Sequence, residues 1–292
     1  MGEYAISTVK AYTEWKPMLT GLAYRMLGSM MDAEDIVQDV FISWEKTPQE
    51  HVRHPKSYLC RMVTNRCLDY LKSAAYRREQ YIGEWLPEPI ITNHNAETDP
   101  SDAFVAKESL TTAYLILLQQ LSVTERMVFL LREVLRYDYD DIADIVDKSS
   151  VNCRQIFRRA KRSLGDIPEQ PLTLSSKQQA LVEQFTQALQ SENTDQLLDL
   201  LSPEAIVYFD AGGKALAPLR PIFGPERISR LFAGIVSDAP PDYRFALCEV
   251  NGQPGAIAYT GTQVFAAISF QYCGNYIEAI YIVMNPEKLQ RL

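Results

Sequence analysis

The sequence predicts a multidomain protein: two all-α domains, the second ending in a helix-turn-helix, followed by a C-terminal α+β domain. Three observations predict it. Apolar residues recur at three- and four-residue spacing in two separate stretches, from about Val9 to Tyr81 and from about Phe104 to Leu164. The interval between them is acidic, contains proline and has no periodicity. Beyond Gly165–Pro171 (GDIPEQP) the pattern changes to β-branched and aromatic runs. A chain of 292 residues has room for two or three domains, and 47% apolar with 23% charged residues excludes wholesale disorder.

The elements follow in order. Leu22, Met26 and Leu27, then Ile36, Val37, Val40 and Phe41, then Tyr58, Met62, Val63, Cys67, Tyr70 and Leu71 fall on helical faces. Thr47–Lys56, with Pro48 and Pro55, is expected as a loop. Pro87, Pro89 and Pro100, with Glu84, Glu88, Glu97 and Asp99, mark an acidic linker. Glu125–Leu135, Tyr139–Val146 and Val151–Leu164 form three short helices, with a tight Asp147–Ser150 turn before the last. Gln178–Leu189, Thr194–Leu201 and a segment near Pro225–Val236 are expected as helices. Strands are expected around Ala205–Asp210, Tyr243–Val250, Ala256–Tyr259, Thr262–Tyr272 and Tyr276–Met284, in a curved antiparallel sheet. The resulting boundaries are 1–83, 84–103, 104–168 and 169–292.

The net charge of −8, from 29 Lys+Arg against 37 Asp+Glu, hides a segregated pattern. Between Arg53 and Arg78 stand Arg53, Lys56, Arg61, Arg66, Lys72, Arg77 and Arg78 against Asp69 alone. Between Lys148 and Arg162 stand Lys148, Arg154, Arg158, Arg159, Lys161 and Arg162 with no acid. The acids gather in blocks at Asp32–Glu50 and Glu133–Asp147. Such a distribution describes two local basic surfaces on an acidic body.

In the second basic stretch, Cys153, Ile156, Phe157, Ala160 and Leu164 form an apolar stripe, opposite Arg154, Gln155, Arg158, Lys161 and Arg162. Asn152 is expected as the N-cap, its side-chain oxygen accepting from a first-turn amide. In a helix-turn-helix this end enters the major groove, so Arg154 and Gln155 reach base edges while Arg158 and Arg162 lie toward phosphates. The plain alternative is a solvated basic helix face. In the first basic stretch Tyr58, Tyr70, Tyr76 and Tyr81 interleave with Arg61, Arg66, Lys72, Arg77 and Arg78. Aromatic rings stack on unpaired bases and cations follow the backbone, which makes single-stranded DNA a natural ligand. Asn65, a poor mid-helix residue, lies among them.

Several classes fall away. Met1–Lys10 lacks the basic and apolar pattern of a secretory signal. The uncharged stretch Val250–Ile277 is interrupted by Asn251, Gly252, Pro254, Gly255 and Gly261, which favours buried strands over a membrane span. The five cysteines form no CxxC and the histidines are His51, His54 and His94, a set that calls for no metal, cofactor or disulfide framework. A cytoplasmic protein with reduced thiols is expected.

Leu22-Ala-Tyr-Arg-Met-Leu-Gly-Ser29 followed by Asp32-Ala-Glu-Asp-Ile-Val-Gln38 strongly resembles region 2 of the extracytoplasmic-function sigma factors of the sigma-70 family. Residues 119–164 (QQLSVTERMVFLLREV…IADIV…CRQIFRRAKRSL) resemble region 4 of the same proteins. Trp85-Leu-Pro-Glu-Pro89, Asp210-Ala-Gly-Gly-Lys214 and Asn285-Pro-Glu-Lys-Leu289 resemble signatures of the subgroup with a fused SnoaL-like C-terminal domain. In the second motif Ala211 stands where a third glycine is usual, and in the third Glu287 replaces the commoner aspartate.

The resemblance implies a promoter-specificity subunit of bacterial RNA polymerase whose C-terminal domain, a SnoaL-like or ketosteroid-isomerase-like cone, regulates it in cis. Asp35, Gln38 and Asp39 would dock on the β′ clamp coiled coil, with the β flap as a second polymerase contact. Tyr58, Arg61, Asn65, Arg66, Lys72, Arg77 and Arg78 would hold the −10 element, and Asn152, Arg154, Gln155, Arg158, Arg159 and Arg162 the −35 element. Trp85, Leu86, Pro87, Glu88 and Pro89 would meet Asp210, Gly212, Gly213, Lys214, Asn285, Pro286, Lys288 and Leu289 at a regulatory junction that sets the spacing of the DNA-binding domains. Of the groups a cone enzyme uses, the domain offers only Asp210 and Tyr208, so no catalysis is expected. A small-molecule ligand of the cone is left open. The alternative is a one-component helix-turn-helix regulator that senses a small molecule in the cone. A third reading is a cone enzyme tethered to DNA.

Overall fold

Gly28-Ser29 is the first place where the chain must turn, and both residues suit it. Gly28 takes a left-handed φ of 73° after α1 (Thr8–Leu27), and the Ser29 hydroxyl caps α2 (Met30–Glu45) by accepting the Asp32 amide at 3.2 Å. The structure, a computed structural model, describes residues 8–48, 52–79, 81–92, 111–165 and 176–292, with the backbone alone for 74–79 and 92. It divides into two units. One comprises Met1–Glu79, Asp99–Val105 and Tyr114–Pro168, the other Gln80–Thr98, Ala106–Ala113 and Glu169–Leu292.

In the first unit, α1, α2 and α3 (Pro55–Glu79) bury Leu19, Leu22, Met26, Val37, Val40, Trp44, Leu59, Val63 and Cys67. Pro55, expected in a loop, instead opens α3, where the amide it lacks has no intrahelical partner to lose. The chain continues through α4 (Thr112–Gln120), α5 (Val123–Phe129), one π-helical turn (Leu130–Val134), α6 (Tyr139–Val146) and α7 (Ser150–Leu164). A reciprocal capping box starts α5: the Ser122 hydroxyl accepts the Glu125 amide at 3.4 Å while the Glu125 carboxylate accepts the Ser122 amide at 3.2 Å. Asp147, left-handed at φ 53°, closes α6, and the Ser149 hydroxyl then caps α7 by accepting the Asn152 amide at 3.2 Å. Asn152 is therefore not the N-cap. The serine three residues ahead takes that role, and the helix begins a residue earlier than its apolar stripe indicated.

The two helical stretches pack on each other. Arg126 is buried, and its guanidinium donates to the Leu118 carbonyl at 2.8 Å and to the Met26 carbonyl in the last turn of α1, a terminus that favours a cation. The Cys60 thiol on α3 lies 3.4 Å from the Tyr137 hydroxyl ahead of α6.

The second unit is a mixed sheet with helices on one face. Its strands are β1 (Ile91–Thr92), β2 (Leu201–Asp210), β3 (Ile222–Phe223), β4 (Tyr243–Val250), β5 (Gln253–Thr260), β6 (Gln263–Cys273) and β7 (Tyr276–Val283), in the order β1-β4-β5-β6-β7-β2-β3. Helices α8 (Ser176–Gln190), α9 (Thr194–Leu200) and α10 (Pro225–Ser237) cover it, with Phe185, Leu189, Val207, Phe232, Ile268, Phe270 and Ile280 in the core between. The expected all-antiparallel sheet is corrected in one pairing: β2 runs parallel to β7, with Val207 opposite Ile280. Parallel partners need a long crossover, and here α10 and the β4–β7 meander supply it. Asn251 and Gly252, both with positive φ (52° and 73°), are the two-residue turn that joins β4 to β5. β1 was not anticipated. It comes from the acidic linker and pairs Ile91 with Val250.

Candidate functional site

The acidic helix α2 buries Ala33, Ile36, Val37, Val40, Phe41 and Trp44 and turns Asp35, Gln38 and Asp39 to solvent. Met31 and Ile42, exposed by 40% and 46%, stand on the same outer face. An acidic stripe flanked by exposed apolar side chains fits a basic macromolecular partner better than it fits bulk solvent.

On α3, Tyr58, Arg61, Asn65, Arg66 and Lys72 are all exposed, while Leu59, Cys60, Val63, Cys67 and Leu71 are buried. Tyr58, Arg61, Asn65 and Lys72 fall at spacings that share a face. Tyr58 leans on buried Trp44, ring centroids 5.7 Å apart, which orients its ring, and Lys72 pairs with Asp69 at 3.5 Å. Arg77 and Arg78 lie on the last turns of α3, where only the backbone is described.

On α7, Cys153, Ile156, Ala160 and Leu164 are buried, and Asn152, Arg154, Gln155, Arg158, Arg159 and Arg162 are exposed. Two guanidinium groups stand over the Tyr139 ring, Arg132 at 4.8 Å and Arg154 at 5.4 Å from its centroid. Arg132 is itself fixed by donating to the Tyr137 carbonyl at 2.7 Å. Arg159 is directed back toward Glu125, at 3.8 Å, and so stands apart from the Arg154, Gln155, Arg158 and Arg162 face.

In the second unit the linker is fastened to the sheet through Asp210, the fully buried last residue of β2. Its carboxylate accepts the Tyr81 hydroxyl, the Leu86 amide at 2.8 Å and the Lys288 ammonium at 2.7 Å. Its carbonyl accepts the Met284 and Asn285 amides at 2.7 and 2.9 Å. Lys288 also donates to the Leu86 carbonyl and stands 3.9 Å from the centroid of the Trp85 ring. Asn285 donates to the Tyr81 oxygen at 2.9 Å and caps the 3₁₀ turn Pro286–Lys288 by accepting the Glu287 amide. Lys214 pairs with Glu287. Leu86, Pro87, Glu88, Pro89 and Leu289 are buried, and Asn251 holds the far end of the linker by accepting the Ile90 amide at 3.2 Å. Burial, reinforced by the Asp210 carboxylate, pushes the Tyr81 hydroxyl well above its usual range, so it stays a proton donor.

The glycines at this junction are required by geometry. Gly212 and Gly213 have φ of 56° and 70°; a Cβ at the first would sit 2.6 Å from Asn285 Nδ2 and at the second 2.9 Å from Ile82 Cδ1. Ala211 has no such demand, being outside the positive-φ residues, and takes an alanine without strain.

The structure thus gathers the three motifs Trp85–Pro89, Asp210–Lys214 and Asn285–Leu289 in one place. Tyr81, grouped above with the tyrosines of the first basic stretch, stands at this junction, and Asp210, expected at the end of a strand and at the junction, holds a buried charge. Neither was legible, because their partners lie 129 and 78 positions away. Linker residues 93–103 lie outside the described residues.

The chain matches the model of Sigma-70 region 2 over residues 11–77 and that of Sigma-70, region 4 over residues 113–164. It is similar to the ECF RNA polymerase sigma factor SigJ of Mycobacterium tuberculosis, 32% identical across 96% of this chain and 92% of that protein. It is also similar to the probable ECF RNA polymerase sigma factor SigI of the same organism, 25% identical across 97% and 94%. Among solved structures, the crystal structure of the M. tuberculosis extracytoplasmic function sigma factor SigJ matches 97% of this chain and 98% of that chain, with a TM-score of 0.78 and 27% identity.

Proposed function

The chain belongs to the extracytoplasmic-function sigma factors of RNA polymerase, and from that premise we propose how its surfaces divide the work of promoter recognition and transcription initiation. Residues 1–83 act as region 2 and 104–168 as region 4, joined by the linker 84–103, with 169–292 as a regulatory cone. Asp35, Gln38 and Asp39 dock on the β′ clamp coiled coil of core polymerase, and the region 4 domain engages the β flap. Tyr58, Arg61, Asn65, Arg66, Lys72, Arg77 and Arg78 capture the −10 element. Asn152, Arg154, Gln155, Arg158 and Arg162 meet the −35 element, with Arg159 at its flank. Among the described residues no helix is long and apolar enough to cross a membrane, and the protein works on the chromosome in the cytoplasm.

One observation carries this reading. Each of α2, α3 and α7 buries its apolar stripe and leaves the described side chains of its expected contact face in solvent. A regulator that binds duplex DNA alone has no use for the acidic face of α2. The test is binding of the full chain to core polymerase, alongside the double substitution Asp35→Lys with Asp39→Lys. Wild-type binding, weakened by about 10² in the variant with an unchanged melting temperature, is expected, since both positions are exposed and charge reversal opposes the docking field. Absence of wild-type binding defeats the sigma reading, and an unaffected variant defeats the docking face.

The cone regulates in cis by anchoring the linker rather than by catalysis. The Asp210–Lys288 pair and its bonds to Tyr81 and Leu86 support this. Trp85→Ala, which removes the ring beneath Lys288, is expected to change promoter output and to increase protease cleavage between residues 84 and 103. If both stay at wild-type levels, the linker anchor has no regulatory role.

A further inference from the structure

The cone encloses a chamber of about 360 Å³ between α8, α10 and the sheet. Its walls are Leu189, Phe209, Phe232, Ala266, Ile268 and Met284, with neighbours of the same kind. Leu216, fully exposed, and Phe265, exposed by 40%, also line it and so form its rim. No side chain of the lining carries a charge, and Tyr243 alone contributes a polar side-chain atom. Tyr208 and Asp210, the two groups considered for catalysis, do not belong to the lining. Tyr208 instead stacks on Tyr281, ring centroids 5.4 Å apart.

These facts restrict the occupant. A buried water needs two to four polar partners, and the lining side chains supply one. An unfilled apolar volume costs stability in proportion to its size, so an apolar filler is favoured. A carboxylate, phosphate or ammonium placed here would lose its hydration and find no counter-charge. The volume falls in the range of small-molecule sites, about 300–1,000 Å³. Burial pushes the Tyr243 hydroxyl up to about 12, so at neutral pH it is a donor and suits one carbonyl, ether or hydroxyl oxygen on the guest. With no carboxylate or imidazole in the lining to move a proton, the chamber suits holding a ligand rather than converting it.

We propose that the chamber is a binding site for an uncharged lipophile of small-molecule size that carries at most one or two oxygen acceptors. Phe209 and Met284 in its wall are the immediate neighbours of Asp210 and Asn285 in the linker anchor, so the site lies one residue from the junction.

The test uses the full chain without polymerase or DNA, so its outcome is independent of the sigma reading. Titration with Nile red, an uncharged solvatochromic dye, is expected to give saturable one-to-one binding that dodecanol reverses. Dodecanoate at mildly alkaline pH, the same chain with a charge, is expected to compete at least about tenfold more weakly. Ala266→Phe fills the chamber from β6. Ala217→Trp fills it from the irregular loop ahead of β3, outside every helix and strand, and each is expected to weaken dye binding about tenfold or more. The proposal is overturned by an absence of saturable binding, by dodecanoate competing as well as dodecanol, or by a folded Ala217→Trp variant that binds dye like the wild type.

Discussion

Asp210 and Lys288, 78 positions apart, bring a carboxylate oxygen and an ammonium nitrogen to 2.7 Å in a place where the first side chain is wholly buried and the second is 12% exposed. Both also bond the segment Tyr81–Leu86 at the start of the linker: Tyr81 and Leu86 donate to Asp210, and Lys288 donates to Leu86. Breaking a buried pair by removing one partner leaves the other charge uncompensated, at about 3–5 kcal/mol. Asp210→Asn and Lys288→Met are each expected to lose stability of that order in chemical denaturation. The double variant is expected to lose clearly less than the sum. Strictly additive losses would mean that the two groups do not act as a pair.

The glycine loop separates backbone strain from chain composition. Gly212→Ala puts a side chain at φ 56° and against Asn285 Nδ2, so it is expected to cost more than the roughly 1–2 kcal/mol of the left-handed conformation alone. Ala211→Gly, at a position with ordinary backbone, is expected to change stability by less than about 1 kcal/mol. Equal melting temperatures for the two variants would contradict this account.

On α7, the two ends of the exposed face should behave differently. Arg154→Ala is expected to cost about 1–3 kcal/mol on the preferred promoter and to relax discrimination at one −35 position. Arg162→Ala, which would remove the proposed phosphate contact, is expected to weaken all promoters alike and to flatten the salt dependence by about one unit of slope. Transcription from a set of single-base −35 variants at two salt concentrations distinguishes these. A uniform loss for Arg154→Ala would remove it from base reading.

The thiols report on burial. Burial pushes Cys67 and Cys248 up to about 12, Cys248 with a contribution from Glu249, and also raises Cys60 and Cys153. Cys273 alone among the five is exposed. Brief iodoacetamide treatment of the native protein is expected to modify one thiol, and treatment in denaturant five. The raised values mean that the folded state keeps protons the unfolded state loses. The corresponding stability is intact below the ordinary thiol value of 9.0 and is lost as pH rises toward about 12, at about 1.4 kcal/mol per unit for each fully buried group. A urea midpoint that holds steady from pH 8.5 to 11 would contradict the burial of Cys67.

Local order was legible because its causes are local. The apolar stripe of α7 and the strand pattern of β4 each depend on residues within one element, and the expected bounds Val151–Leu164 and Tyr243–Val250 lie within one residue of those observed. The tertiary surprises have non-local causes. Ile91–Thr92 is a strand only because Val250 and Glu249 present a free edge, and no two-residue segment after Pro89 announces that. The parallel β2–β7 pairing depends on how α10 and three hairpins return the chain. Asn251-Gly252, which falls between the expected strands Tyr243–Val250 and Ala256–Tyr259, is a strong short hairpin signal, and it is the turn that joins β4 to β5. The motifs around Trp85, Asp210 and Asn285 were recognised as a set, but not the buried charge at their centre or the part played by Tyr81.

Strand β2 ends in Phe209-Asp210, and the chain leaves β7 through Met284-Asn285, with both of those last amides bonded to the Asp210 carbonyl. In each pair one side chain walls the chamber while the next holds the linker anchor. A displacement of the wall is therefore carried by the same peptide groups that position the anchor. Thermodynamic reciprocity then fixes the scale: a guest that binds a given factor more tightly when the linker is fastened must fasten it by that same factor, and one indifferent to the linker can signal nothing, however tightly it binds.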